Sequence, residues 1–320
     1  ARFRMNLFLL ILGLTVLVLS GDWLVRCASS LAVRASIPPV IVGLTIVSIG
    51  TSAPEVIASV RAALEGNPGI AIGNVIGSNI ANLALILGVA ALVQPIVVTR
   101  SILRADWPVL MVASLLFAGF AWDGQLENWE GGILCAGTVA MLIMLYYRTR
   151  QSQNEDTSLE EEMGIEPPLD KPLIWLFGGI IVASIGLYYG SEWFIEGARE
   201  LALQAGVSDH IIGLTVVAFG TSVPELVASV AAVLKRESDL VLGNLIGSNI
   251  FNIFLAIGVS SSIINLPVDS LAISQDFWWM LAIAALVFPM MLHRRLVHRW
   301  KGVVLIGIYC AYIALVISNL

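Results

Sequence analysis

The chain has 320 residues, 58% of them hydrophobic and only 12% charged, with a net charge of −6. Soluble domains carry about 25% charged residues, so this composition excludes an ordinary soluble domain and describes a membrane protein. It also lacks the basic face that a nucleic-acid partner requires, and Cys27, Cys135 and Cys310 lie in or beside apolar stretches without metal-ligand spacing, as core thiols do.

Crossing the hydrocarbon core takes about 20 apolar residues. The chain offers ten such stretches, at 6–25, 37–63, 70–94, 105–121, 131–147, 173–195, 210–234, 241–265, 273–292 and 302–319. The first has no small-residue cleavage site after it and is expected to remain as a span. Asp22 in the first and Glu192 in the sixth sit near the membrane boundary, where an anchoring role is favoured over ion entry. Trp107, Trp175 and Trp300 lie near span ends, as interfacial belts require. His210, His293 and His298 fall at helix ends or in a loop and receive no role.

The acidic excess is concentrated between the fifth and sixth spans, in Glu155, Asp156, Glu160, Glu161, Glu162, Glu166 and Asp170. This reads as a solvated linker, shorter than the roughly 50 residues of a small folded domain. The expected organisation is a first five-helix unit over 1–147, a linker over 148–172 and a second five-helix unit over 173–320. Basic residues near span ends stay in the cytoplasm. Placing both termini outside puts 13 of the 17 Lys and Arg residues on the inner side, together with the linker.

Self-comparison explains the two units. Residues 43–60, GLTIVSIGTSAPEVIASV, recur as 213–230, GLTVVAFGTSVPELVASV, and 73–88, GNVIGSNIANLALILG, recur as 243–258, GNLIGSNIFNIFLAIG, both at an offset of 170. Five spans is an odd number, so the second unit enters the membrane from the opposite side. The fold class is therefore an all-α polytopic membrane protein built of two inverted five-helix repeats. Secondary transporters are often built this way, with the substrate site where the repeats meet near the midplane.

Each repeat carries one acid within the GTSxPE run: Glu55 after Gly50, Thr51, Ser52 and Pro54, and Glu225 after Gly220, Thr221, Ser222 and Pro224. A charge at a helix centre costs about +2.5 to +3.5 kcal/mol on insertion scales, which makes an intramembrane acid a functional candidate by default. A structural acid would want a basic partner, and these spans contain none nearby. The proline removes an amide and disturbs the carbonyl four residues back, at Gly50 and Gly220. A hard cation is one partner for a carbonyl so released, and the Thr and Ser hydroxyls add oxygens beside it.

The second motif supplies Ser78 and Asn82 in one repeat and Ser248 and Asn252 in the other, each pair on one helical face. Gly73, Gly77, Gly243 and Gly247 permit close backbone approach. The result is an oxygen-rich cage. Calcium takes about six to eight oxygens at about 2.3–2.6 Å, and two glutamates match its charge. The absence of His and Cys from the motifs disfavours transition metals, and magnesium gives up its water reluctantly.

The doubled GTSxPE and GSNIxN segments resemble the two alpha repeats of the sodium/calcium exchangers, in the calcium:cation antiporter superfamily. The resemblance spans all ten expected helices. It implies a midplane site holding calcium and sodium in mutually exclusive states, with Glu55 and Glu225 as the shared carboxylates, joined by the carbonyls of Thr51 and Thr221. It places Ser52, Ser78, Ser222 and Ser248, with the backbone at Ser48 and Ala218, in flanking sodium sites, and Asn82 and Asn252 on the cavity wall. Some members carry aspartate where this chain has Asn252. A prokaryotic inner membrane is implied, with the two ions and the lipid bilayer as partners, no cofactor and no inferable protein partner.

The leading reading is thus sodium-driven calcium exchange by alternating access. Calcium/proton exchange on the same glutamates is the close alternative, a passive calcium channel a further one. An intramembrane protease dyad is disfavoured, because the acids lack an aspartyl motif and an accompanying nucleophile.

Overall fold

A computed structural model describes residues 2–152, 169–204 and 220–318. The linker segment 153–168 and the first part of the seventh expected span, including Ala218 and His210, lie outside the described residues.

In chain order the helices are α1 (Arg2–Ala35), α2 (Pro39–Leu64), α3 (Pro68–Val93), α4 (Ile102–Asp123), α5 (Asn128–Ser152), α6 (Leu173–Gln204), α7 (Val223–Leu234), α8 (Ser238–Ile263), α9 (Ala272–Arg295) and α10 (Arg299–Ser318). Among the described residues all but α7 are long and apolar enough to cross a membrane. Polarity is distributed inside-out relative to a soluble protein. Phe8, Ile11, Val18, Ile174 and Val182 face outward, while Glu55, Glu225, seven serines and five asparagines of the motif regions are buried. Lipid solvates the outer apolar surface, and the polar groups must find partners within the protein.

The first helix of each repeat is longer than its apolar stretch. Helix α1 has 34 residues and α6 has 32, about 50 Å each against a hydrocarbon core of about 30 Å. Apolar content marks the part that lipid touches, whereas a helix ends where the backbone is stopped. Asp22, Arg26 and Arg34 do not stop α1; Ser36, with φ of 53°, and the Pro38–Pro39 pair do. The two long helices pack on each other through small residues. A methyl group on Gly13 would lie 2.7 Å from the Gly190 carbonyl oxygen, and one on Gly197 would lie 2.6 Å from the Leu10 amide nitrogen. Asp22 then ties α1 to the end of α7 through Lys235 at 2.8 Å, and also accepts from Arg26 at 2.8 Å.

Among the described residues five short π-helical turns interrupt the helices, at Gly43–Val47, Ala81–Ile86, Ile102–Asp106, Asn252–Ile257 and Ala272–Asp276. Four of them recur between repeats at the 170-residue offset or within one residue of it. Such turns concentrate at functional sites, and here two of them carry Asn82 and Asn252.

Four two-residue strands join the repeats. β1 (Ile96–Val97) pairs antiparallel with β4 (Leu296–Val297), and β2 (Gln125–Leu126) pairs with β3 (Leu266–Pro267). Ile96 and Leu266 are repeat equivalents, as are Leu126 and Leu296. Each clasp therefore joins unlike loops of the two repeats, the one after α3 or α8 to the one after α9 or α4. An inversion produces this pairing by bringing those loops to the same face.

Two side chains depart from expectation. Trp107 is buried and packs on Phe288, ring centroids 6.5 Å apart, instead of standing in the interfacial belt; it follows the π turn of α4, which aims it at α9. Trp175 and Trp300 remain exposed. Cys310 is exposed on the outer face of α10, whereas Cys27 is buried.

Candidate ion-binding site

The two motif helices and the two GSNI helices cross at the centre of the molecule. Gly243 and Gly247 allow α8 to lie against α2, since a methyl group on Gly243 would meet Gly43 Cα at 3.1 Å and one on Gly247 would meet the Leu44 carbonyl oxygen at 2.8 Å. The equivalent neighbours of Gly73 and Gly77 are residues 213 and 214, outside the described residues. Ser48 secures this crossing by donating to the carbonyls of Gly43 at 2.6 Å and Asn244 at 3.0 Å.

Glu55 and Glu225 lie here, both almost fully buried, at 1% and 0% exposure. Neither has an ion-pair partner among the described residues. Ser52 donates to Glu225 Oε1 at 2.9 Å. The second carboxylate oxygen of each glutamate, Oε2, is buried without a hydrogen-bond partner among the described residues.

A set of cross-repeat hydrogen bonds surrounds the acids, and it obeys the pseudo-twofold relation of the sequence. Thr51 donates to Asn244 Oδ1 at 3.1 Å, and Thr221 donates to Asn74 Oδ1 at 3.3 Å. Asn82 Nδ2 donates to Asn249 Oδ1 at 3.4 Å, and Asn252 Nδ2 donates to Asn79 Oδ1 at 3.2 Å. With their amide nitrogens so committed, Asn82 and Asn252 each keep a buried Oδ1 without a partner among the described residues. Four oxygens, two from carboxyl groups and two from amides, are thus left in equivalent pairs. Buried acceptors are rarely left so, and an oxygen-seeking cation is what such a set can take.

The remaining expected residues divide. Ser248 lies 3.5 Å from the Thr51 hydroxyl. Ser78 and Ser222 are buried, and the Ser222 hydroxyl has no partner among the described residues. Ala218 lies outside the described residues. The carbonyl released by Pro224, that of Gly220, accepts a hydrogen bond from Ser191 on α6 at 2.9 Å. The two prolines also act differently. Pro54 sits inside a continuous helix from Ser48 to Leu64, whereas Thr221 and Ser222 form a turn before helix resumes at Val223.

Sequence reasoning missed Asn74, Asn79, Asn244 and Asn249, which orient the site. The signal was present, since each recurs at the 170-residue offset within the quoted motifs. It also missed Asp106, a buried acid held by Arg148, whose equivalent Asp276 accepts from Tyr312 at 3.2 Å.

Inverted repeats that meet at a polar, acid-bearing centre inside an apolar shell define a secondary membrane transporter. Comparison with known proteins makes the class specific. The family model for the sodium/calcium exchanger protein matches residues 5–147 and 175–318. The chain is 38% identical to a putative antiporter, CaxA, of Alkalimonas amylolytica, covering 98% of this chain and 99% of that one. It is 31% identical to the sodium/calcium exchanger MaX1 of Methanosarcina acetivorans, over 96% and 97% of the two chains. Its fold matches the solved structure of the sodium-calcium exchanger NCX_Mj soaked without sodium and calcium, with a TM-score of 0.83 and 30% identity over 98% of this chain and 99% of that one. The chain belongs to the sodium/calcium exchanger family and is a cation/calcium antiporter.

Proposed function

We propose that this antiporter exchanges calcium for sodium, and that Glu55 and Glu225 hold either ion at the repeat interface. The observation that carries this reading is the set of four buried oxygens without a partner among the described residues, Glu55 Oε2, Glu225 Oε2, Asn82 Oδ1 and Asn252 Oδ1. Two carboxylates neutralise one calcium ion, and carboxylate and amide oxygens are the ligands it prefers. Thr51 and Thr221 contribute their carbonyls, and Ser52, Ser78, Ser222 and Ser248, with the backbone at Ser48 and Ala218, serve flanking sodium positions. Competition follows, since calcium and sodium need the same two carboxylates.

Proton exchange is the second reading, favoured by the same unpaired acids, because a proton on either one also removes the repulsion between them. The distribution of Lys and Arg supports an inner-membrane orientation with both termini outside the cytoplasm and the acidic segment 148–172 within it.

The deciding experiment is calcium uptake into sodium-loaded proteoliposomes diluted into sodium-free buffer at constant pH. Uptake that needs internal sodium and disappears in both Glu55→Gln and Glu225→Gln is the expected result. Uptake that ignores sodium and follows a proton gradient moves the assignment to calcium/proton exchange. Uptake retained in both variants overturns the glutamate assignment.

A further inference from the structure

The repeats differ at one contact that their symmetry would make equal. In the first repeat, Asn74 Nδ2 donates to the Glu55 carbonyl at 3.3 Å and to Ser59 Oγ at 3.0 Å. Both acceptors lie on α2, at Glu55 and one turn beyond it, so one amide on α3 fixes the turn that carries the acid. The equivalent residues in the second repeat are Asn244, Glu225 and Ser229. There Asn244 Nδ2 and Ser229 Oγ are both buried without hydrogen-bond partners among the described residues, although Asn244 Oδ1 keeps its bond to Thr51. A donor and an acceptor that bond each other in one repeat are both left unsatisfied in the other.

The backbone follows the same division. Helix α2 runs unbroken through its motif, while the second motif turns at Thr221 and Ser222 and is helical again only from Val223. The gripped repeat is wound and the ungripped repeat is broken. Inverted repeats offer the same contacts in exchanged roles, and leaving a buried pair unmade is costly enough that the Asn244 arrangement needs a state in which it closes.

We propose that Asn74 and Asn244 are positioning residues that grip the two glutamate-bearing helices in turn. In the state described here Asn74 is closed on Glu55 and Ser59 and Asn244 is open. When the site turns to the other membrane face, Asn244 closes on the Glu225 carbonyl and Ser229, and Asn74 releases. The grips act on backbone and serine, and so set the position of each carboxylate without contacting the ion. The inference rests on the reading of Glu55 and Glu225 as the ion site.

Hydrogen–deuterium exchange on the full-length protein in nanodiscs, without calcium or sodium, tests it. Ser59→Ala removes an acceptor of the closed grip and Ser229→Ala an acceptor of the open one. One hydrogen bond corresponds to roughly a three- to tenfold change in an equilibrium. The ratio of amide exchange in segment 48–58 to that in 220–230 should therefore rise about three- to tenfold in Ser59→Ala and fall similarly in Ser229→Ala. The double variant should return near the wild-type ratio. General destabilisation raises exchange in both segments together and does not produce opposite shifts. A fixed asymmetry predicts that Ser229→Ala leaves the ratio unchanged and that the double variant behaves as Ser59→Ala; either result overturns the proposal. The readout needs no transported ion, so failure of the exchange assay and failure of the grips are separately visible.

Discussion

Across the boundary between the repeats, the Ser52 hydroxyl donates to Glu225 Oε1 at 2.9 Å, whereas its counterpart Ser222 has no partner among the described residues. A hydrogen bond contributes about 0.5–1.5 kcal/mol, and more when its acceptor is ionised. Ser52→Ala should therefore lower the unfolding midpoint of the ion-free protein by a few degrees, and Ser222→Ala should leave it unchanged or raise it slightly. Thermal unfolding in detergent compares the two. Equal losses would mean that the hydroxyls are equivalent and the asymmetry is not a property of the folded protein.

The two buried acids make a second, opposite expectation. At a pH high enough to ionise both, two acids buried together without a cation repel, so under those conditions Glu55→Gln and Glu225→Gln should each raise the midpoint of the ion-free protein. Calcium should stabilise the wild type, by about 2.7 kcal/mol at a concentration one hundred times its dissociation constant. Neither variant should respond in this way. Removing calcium with a chelator should return the wild type to its starting midpoint. A calcium response that survives in either variant would place the ion away from that glutamate.

Much of this site was legible in the sequence because a transporter made of inverted repeats writes its motifs twice. The offset of 170 identified Glu55 with Glu225 and Asn82 with Asn252 before any geometry was known. What stayed hidden depended on three-dimensional closure. The π turns have no local sequence signature, and the two-residue strands are too short to show a period-2 pattern. The ends of α1 were missed because the apolar stretch stops at residue 25, whereas the helix continues to Ala35. The partner of the Gly220 carbonyl could not be read either, since Ser191 is 29 residues away on another helix. The orienting asparagines were a different matter. Asn74, Asn79, Asn244 and Asn249 stood in the same doubled motifs and were passed over in favour of Asn82 and Asn252.

Asp106 offers a prediction independent of transport. Its side chain is 1% exposed and is held by Arg148, at 21%, which also reaches Ser101. Removing one partner of a buried ion pair costs about 3–5 kcal/mol, because the other charge is left behind, whereas replacing both is often close to neutral. Arg148→Met should unfold at a markedly lower temperature than the wild type. Asp106→Asn combined with Arg148→Met should recover most of the loss, and midpoints of the two single variants and the double variant complete the cycle. A double variant no better than Arg148→Met would mean that the arginine acts by packing instead of by charge.

The clasps carry the inversion itself and are open to a direct chemical test. Val97 on β1 stands opposite Leu296 on β4, and directly opposed residues of an antiparallel pair have Cα atoms about 4.5–5.5 Å apart, within reach of a disulfide. Val97→Cys with Leu296→Cys, in a background lacking the three native cysteines, should therefore cross-link under mild oxidation. Cleavage of the chain at a protease site placed between the repeats should then release two fragments only after reduction. Val97 and Gln125 belong to different clasps, separated by the single crossing of α4, so the corresponding pair of cysteines should stay reduced. Because β1 and β4 occupy non-equivalent positions in their repeats, they share a face only if the second repeat is inverted. A cross-link between residues 97 and 125, with none between 97 and 296, would place the loops of each repeat together and remove the basis for a twofold site at the centre.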